Sequence, residues 1–241
     1  MKLLLKIFLI FLLLLIIIPV AALAYLGFIP SLSPLFGADK PKSLNVSYTP
    51  ADLDSAKQKN GVIMTELSTT SESTYETIRY SGTKNVSASL SSAEITALAN
   101  SPTWKYFPVS SIQIKLNPDG SAEASGILLL DRLPGYLSVL GISAKDIQSA
   151  ANYLKIKGNT PFYFKGVASV TDNKVSLNTH HLEIGRFSVP TQIIKDNQKY
   201  LVSLAEIRIK SVPGLSVKSF STQNGQLSFD GTMPSAISWE K

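Results

Sequence analysis

The chain contains no cysteine. Disulfides are therefore excluded, and with them the small secreted scaffolds that use bridges in place of a core. An anchor attached through a lipidated cysteine is excluded too. Histidine is nearly absent, with only His180 and His181. On a strand these neighbours point to opposite faces, so they do not converge on one metal, and the H-E-x-x-H spacing is missing. His181-Leu182-Glu183 begins like a zinc-deaminase signature, but the cysteine pair that must follow cannot exist here. The hydrolase elbow G-x-S-x-G also fails, because Gly214-Leu215-Ser216 leads to Lys218. There is no G-x-x-x-x-G-K-[ST] phosphate loop. Asp52 and Asp54 form a D-x-D pair, but Gln58-Lys59 stand where further calcium ligands are needed, so the pair reads as support for a helix start. A glycosidase pair of carboxylates can lie far apart in sequence, and nothing singles one out. The expectation is a non-enzyme with no cofactor and no metal.

Charge is missing in one place above all. The 32 residues from Ile7 to Ala38 carry none, and they follow Lys2 and Lys6. About 20 apolar residues span a bilayer as a helix, and Ile7–Phe28 meets that length. It exceeds the ~7–15 residues of a secretory apolar region. Pro19 lies inside it, which a membrane helix tolerates better than a soluble one. Lys2 and Lys6 put the N-terminus in the cytoplasm by the positive-inside bias, and the rest of the chain outside. The alternative is a cleaved signal peptide: Ala22-Leu23-Ala24 has the small-x-small pattern, with cleavage after Ala24 and Tyr25 as the new N-terminus. Residues 1–28 are thus read as a signal anchor in the cell membrane, single-pass, with a bilayer as its partner.

After Ala38 lie all 17 acidic and 21 of the 23 basic residues, a net of +4. The excess is mild and scattered. It suits a solvated surface, or weak attraction to anionic headgroups or wall polymers, and it does not suit nucleic acid. Asn45-Val46-Ser47 and Asn85-Val86-Ser87 match the glycosylation triplet, which matters only in a eukaryotic secretory pathway.

Residues 29–48, with Pro30, Pro34, Gly37 and Pro41, read as a tether. Beyond it short helices alternate with paired strands. Helix 50–59 has Thr49 as its cap, Pro50 in its first position and Asp52 three residues after the cap, and Asn60-Gly61 ends it. A strand-like GVIMTEL and a polar loop at 68–74 follow, then an extended stretch at 74–90 broken at Gly82. Helix 91–100 has the Ser91/Glu94 capping-box spacing, with Ile95, Leu98 and Ala99 on one face. Strand 109–116 and its partner flank the turn Asn117-Pro118-Asp119-Gly120. Helix 144–156 is capped by Ser143 and lined by Ile147, Ala150, Ala151 and Leu154. Strands 161–170 and 174–185 flank Asp172-Asn173. A helix over about 190–208 starts at Pro190, with Ile194, Leu201 and Leu204 recurring, although EIRIKSV could equally be a strand. Strands 214–221 and 226–234 flank Asn224-Gly225, a strong hairpin signal. No true repeat is present. The fold class expected is α+β: an N-terminal transmembrane helix followed by a curved antiparallel sheet packed on or around helices, with 49–241 as one extracytoplasmic domain.

Two aromatic clusters stand out, Trp104-Tyr106-Phe107 and Phe162-Tyr163-Phe164. Core packing is their ordinary use. Their other use is to line an apolar groove, for which Trp104, Tyr106, Phe107, Phe162 and Phe164 are the candidates. VSASLSSAEITALAN resembles the opening of single-pass envelope proteins of Gram-positive-type bacteria, through Ser91, Glu94, Ile95, Ala97 and Leu98; Thr96 departs from the asparagine expected there. The hairpins Val109–Gly126 and Gly214–Pro234 are similar to theirs as well. These proteins are similar to lipid-binding domains of the tubular (TULIP/SMP-like) kind, and the resemblance covers 85–234. It implies a long helix wrapped by a curved antiparallel sheet with an apolar groove, and it transfers no catalytic or ligand-contacting residue. The function expected is a membrane-anchored domain that binds lipid or another apolar ligand. The alternatives are a protein-interaction or regulatory module of the cell envelope without a groove, and a cleaved secreted protein or an undetected envelope hydrolase.

Overall fold

The computed structural model describes residues 2–27, 29, 31–68, 77–143, 145–146 and 159–241, with side chains in the first helix from residue 13 onward. In chain order the elements are α1 (Lys2–Tyr25), a 3-10 turn (Ser33–Phe36), α2 (Pro50–Asn60), β1 (Ile63–Leu67), β2 (Ile78–Ser81), β3 (Lys84–Leu90) and α3 (Ser92–Asn100). There follow β4 (Val109–Leu116), β5 (Ala122–Leu129), α4 (Leu133–Val139), β6 (Asn159–Thr171), β7 (Lys174–Ile184) and β8 (Phe187–Ser188). The chain closes with α5 (Thr191–Ser211), β9 (Ser216–Gln223), β10 (Gln226–Met233) and β11 (Ala236–Glu240).

The fold is α+β with a curved antiparallel sheet. In the larger sheet the order is β3-β10-β9-β6-β5-β4, with β7 on β6 and β8 on β7. The 13-residue strand β6 organises it. One edge of β6 pairs with β7 from Phe162 to Thr171. The other edge is shared end to end, by β5 along Asn159–Gly166 and by β9 along Ser169–Thr171. Bulges at Lys165/Gly166 and Asp230/Gly231 bend the strands. Gly231 has φ +159, and a Cβ there would lie 2.1 Å from the Ser216 carbonyl oxygen, so the bulge requires glycine.

The free edge of β4 is closed by a helix. Ser92, Thr96 and Asn100 stand four residues apart on α3, about 6 Å of rise per step, which matches two residues of strand. Asn100 accepts the Ile112 N–H (3.0 Å) and donates to the Ile112 carbonyl (2.8 Å). The Thr96 hydroxyl accepts the Ile114 N–H (2.9 Å) and donates to the Ile114 carbonyl (3.2 Å), and Ser92 accepts the Leu116 N–H (2.9 Å). Unpaired edge groups invite aggregation, and here side chains occupy them. The main core lies beneath, where Ala56, Leu90, Leu116 and Leu227 pack with Ile95, Leu98 and Phe220. Glu94 ties α2 to α3: Ser55 donates to it at 2.6 Å and Lys59 pairs with it at 2.7 Å. Burial alone would raise the Glu94 carboxyl, but the bonds from Lys59, Ser55 and the Ser91 N–H outweigh it and hold the group at about 2.

Some local expectations are met and others are revised. Both capping boxes form, at Thr49/Asp52 and Ser91/Glu94. The stretch EIRIKSV is helical up to its last residue, because α5 runs to Ser211. The short α4, with Pro134 in its first turn, and the last strand β11 were not read from sequence. β11 pairs in parallel with β1 and antiparallel with β2, in a separate three-stranded sheet, so the strands are not all antiparallel. Parallel pairing needs a long crossover, and nearly the whole domain separates these two strands. The stretch read as a tether is laid against the domain: Leu44 is buried and its N–H donates to Gln113 Oε1 at 2.8 Å. Helix 144–156, apart from residues 145–146, and most of the loop 68–74 lie outside the described residues.

Residues 7–25 of the uncharged run lie in α1, with Pro19 inside, and the helix ends at Tyr25. Among the described residues no helix is long and apolar enough to cross a membrane. The part of α1 with described side chains, 13–25, is about 20 Å of helix against a hydrocarbon core of about 30 Å. Its six side chains from Leu13 to Ile18 are 46–61% exposed, and at 3.6 residues per turn they cover every face of the helix. The end of α1 is fitted to the domain. Ala24 is fully buried, the Arg186 N–H donates to the Leu26 carbonyl at 3.0 Å, and the Arg186 guanidinium lies over Tyr25 and donates to the Phe36 carbonyl at 2.6 Å. A Cβ on Gly185 would meet the Leu26 oxygen at 2.2 Å, so this contact also requires glycine.

Candidate functional site

The three-stranded sheet presents one face to an apolar pocket of about 150 Å³. Residues two apart on a strand share a face. Met64, Ile237 and Tyr80 are register partners across β1, β11 and β2, and Trp239 pairs with Ile78 one step along, so these five side chains form a single wall. Pro102, Trp104 and Phe107, from the segment after α3, face it. Tyr136 of α4 and Arg208 of α5 complete the lining.

The two tryptophans are the only ones in the chain, and both are buried. Their N–H groups are satisfied by threonine hydroxyls, Trp104 by Thr77 (3.0 Å) and Trp239 by Thr103 (3.0 Å). The pocket therefore meets their ring surfaces, which is what makes it apolar. Tyr136 lies 6.2 Å from Trp104 between ring centroids. Burial raises the Tyr136 phenol above its ordinary value, against a lowering influence of Arg208, so it is a neutral donor at pH 7. The Arg208 Nη2 donates to the Tyr80 hydroxyl at 3.0 Å, and its guanidinium lies 5.9 Å from the Tyr80 ring centroid.

The candidates from sequence separate into two places. Trp104 and Phe107 line the pocket. Tyr106 stands behind it, edge-on to Trp104 at 5.8 Å and pressed on Gly135, where a Cβ would lie 2.1 Å from its ring. That fit holds α4 and so places Tyr136. Phe162 and Phe164 are in β6 and do not join this wall. Phe164 is paired across the sheet with Ala124 and Leu182. Phe162 borders a more polar cleft of about 270 Å³ between residues 37–42 and the ends of β6 and β7, with Lys40, Lys42, Glu183 and Arg186. Between them Tyr163 donates to Glu123 at 2.7 Å, and burial together with that carboxylate pushes its phenol up to about 12. Lys42 lies 3.8 Å from the Tyr163 ring centroid. Tyr80, Trp239 and Arg208 were missed in sequence. The signal was present as alternation in Ile78-Arg79-Tyr80 and Ile237-Ser238-Trp239, but these strands are short and their pairing is remote.

The Glu183 carboxylate accepts a hydrogen bond from His181 Nε2 at 2.7 Å, while His180 is exposed on the bulged stretch of β7. Among the described residues no cluster of histidine and carboxylate side chains could hold a metal. No family model, no curated protein and no solved structure matches the chain.

Proposed function

We propose that this chain is a membrane-anchored, extracytoplasmic binding domain that takes an apolar ligand in the Trp104–Trp239 pocket, without catalysing a reaction. The observation that carries the reading is the pocket itself. Its described lining is aromatic and aliphatic with a single guanidinium, and it presents no carboxylate, imidazole or thiol to a bound molecule. An apolar space of about 150 Å³ takes a benzene-sized group. Filling it is worth about 0.8 kcal/mol per buried CH₂. Only a ring or a short stretch of chain fits, so a lipid would enter by one segment. The long helix α5 laid along β7 supports the resemblance to tubular lipid-binding domains.

The anchor reading rests on α1. Six consecutive large apolar side chains on all faces would cost on the order of 10 kcal/mol in water and nothing in hydrocarbon. The buried Ala24 and the Gly185 contact favour a retained helix over cleavage after Ala24, with Lys2 and Lys6 on the cytoplasmic side. Protease accessibility in spheroplasts tests this: the domain should be cut from outside and the chain should keep its N-terminal mass. A soluble product starting at Tyr25 refutes it. For the pocket, the full chain is purified in nanodiscs and its bound small molecules are identified by mass spectrometry. A stoichiometric apolar compound, absent from an Ile237→Trp variant that fills the pocket, is the expected result. An empty wild-type pocket refutes it.

One observation favours the interaction-module alternative. Ile193, Tyr200, Leu204 and Ile207 are exposed along one side of α5, and Leu201, two turns after the buried Ile194, is exposed at the edge of that stripe. Such a stripe is what a docking helix presents. Leu201→Glu with Leu204→Glu should release a co-purifying envelope protein and leave the pocket occupied; loss of pocket occupancy instead would tie the stripe to the ligand.

A further inference from the structure

Arg208 is the one formal charge in the pocket lining, and its position is more than packing requires. It is half-buried in the last turn of α5, where any cation complements the helix end. Lys210 in the same turn is exposed and does that without desolvation. Among the described residues no carboxylate pairs with Arg208. The carboxylates of the adjoining strands are engaged elsewhere: Glu66 accepts from Thr103 and pairs with Lys241 at 3.8 Å, and Glu240 pairs with Lys105 at 3.2 Å. Among the described residues Arg208 gives one N–H to the Tyr80 hydroxyl, which orients the guanidinium, and the rest of its donor fork has no described hydrogen-bond partner. Tyr136 stands close enough for its phenol to feel both Arg208 and Tyr80.

We propose that the ligand of this pocket is an anionic amphiphile: a ring-sized or short aliphatic group seated against Trp104 and Trp239, joined to a carboxylate that pairs with Arg208. This rests on the reading of the pocket as a ligand site. A planar fork matches a carboxylate by two parallel hydrogen bonds, and such a bond is stronger where the cation is partly desolvated. The Tyr80 hydroxyl, held by Arg208, is the second polar group in reach of the same end of the ligand. The small volume sets the apolar part, because a phenyl ring fills it and a full acyl chain does not.

The two probes are 4-phenylbutyrate and the neutral 4-phenylbutanol, which differ only in the head. Each is titrated into the full chain in nanodiscs of neutral lipid at 0.15 M salt, where long-range attraction to the chain's net charge is screened. Tryptophan emission is the readout, since both tryptophans of the chain line the pocket. The carboxylate should bind about tenfold or more tighter than the alcohol, the usual size for a hydrogen bond to a charged partner. Arg208→Met, which keeps the apolar stem, should remove that preference so that the two probes bind about equally, with an unchanged far-UV circular dichroism spectrum showing that the variant is folded. Arg208→Lys keeps the charge without the fork and should retain only part of the preference. Equal binding of the two probes by the wild type, or a preference that survives Arg208→Met, overturns the assignment of the anion and leaves the pocket standing. No change in emission with either probe overturns both.

Discussion

Thr96→Val isolates the device that closes β4. Valine has the shape of threonine, so no cavity opens and the helix face keeps its packing. What disappears is one hydroxyl serving two backbone groups, the N–H and the carbonyl of Ile114. Thr96 is fully buried, so water does not replace it at once. An unsatisfied buried polar group costs about 1–3 kcal/mol, and the carbonyl keeps some capacity, so a loss of about 2–4 kcal/mol is expected. For a domain of this size that is roughly 5–15 °C in Tm. Thermal unfolding of the full chain in detergent, followed by tryptophan emission, measures it. Thr96→Ser is the control: it keeps the hydroxyl and loses a methyl, at about 1 kcal/mol. If the valine variant is no less stable than the serine variant, α3 does not act as a surrogate edge strand and the reasoning is wrong.

Three further outcomes are expected. The Glu94 carboxyl sits at about 2 in the folded chain against an ordinary 4.5, so its stabilising effect is complete above about 4.5 and is lost as pH falls toward 2. Because Lys59 is half-exposed, roughly 1–2 kcal/mol is at stake; denaturant titrations at pH 7 and pH 3 should show it in the wild type, while Glu94→Gln should lie lower at pH 7 and fall less between the two. Gly185→Ala meets both a left-handed backbone (φ +62) and the Leu26 oxygen, and should free the 27–40 segment to limited proteolysis in nanodiscs without changing pocket binding; an unchanged digestion pattern would mean the junction is loose already. Tyr106→Ala removes the ring that fills the space at Gly135, so α4 should shift and the affinity for 4-phenylbutanol should drop several-fold; affinity equal to wild type would show that Tyr136 is placed by other contacts.

Much of the local structure was written into the chain where a short-range rule applies. Thr49/Asp52 and Ser91/Glu94 cap helices because cap, backbone and carboxylate lie within three residues of each other. Asn224-Gly225 and Asp172-Asn173 turn hairpins because those residues accept positive φ, as they do here. The uncharged run from Ile7 to Ala38 is likewise a property of composition, and so is the absence of cysteine. Thr96 shows the limit. In sequence it is a departure from an expected asparagine, and only the neighbouring strand edge gives its hydroxyl two partners. The pocket shows it more fully. Trp104 and Phe107 were visible as aromatics, but a groove and a packed core use the same residues, and periodicity does not tell them apart. What made them a wall was β11 returning across the domain to pair with β1 and β2. That brought Trp239 against Ile78 and carried Tyr80 to Arg208 on the far helix. Those partners lie about 130 residues or more apart in the chain, a distance over which local propensity holds no information. The sequence alone determined where chains turn, where helices begin and that no cysteine chemistry is available. The tertiary structure decided which aromatic rings share a cavity and which cation looks into it, because long-range strand pairing sets those positions.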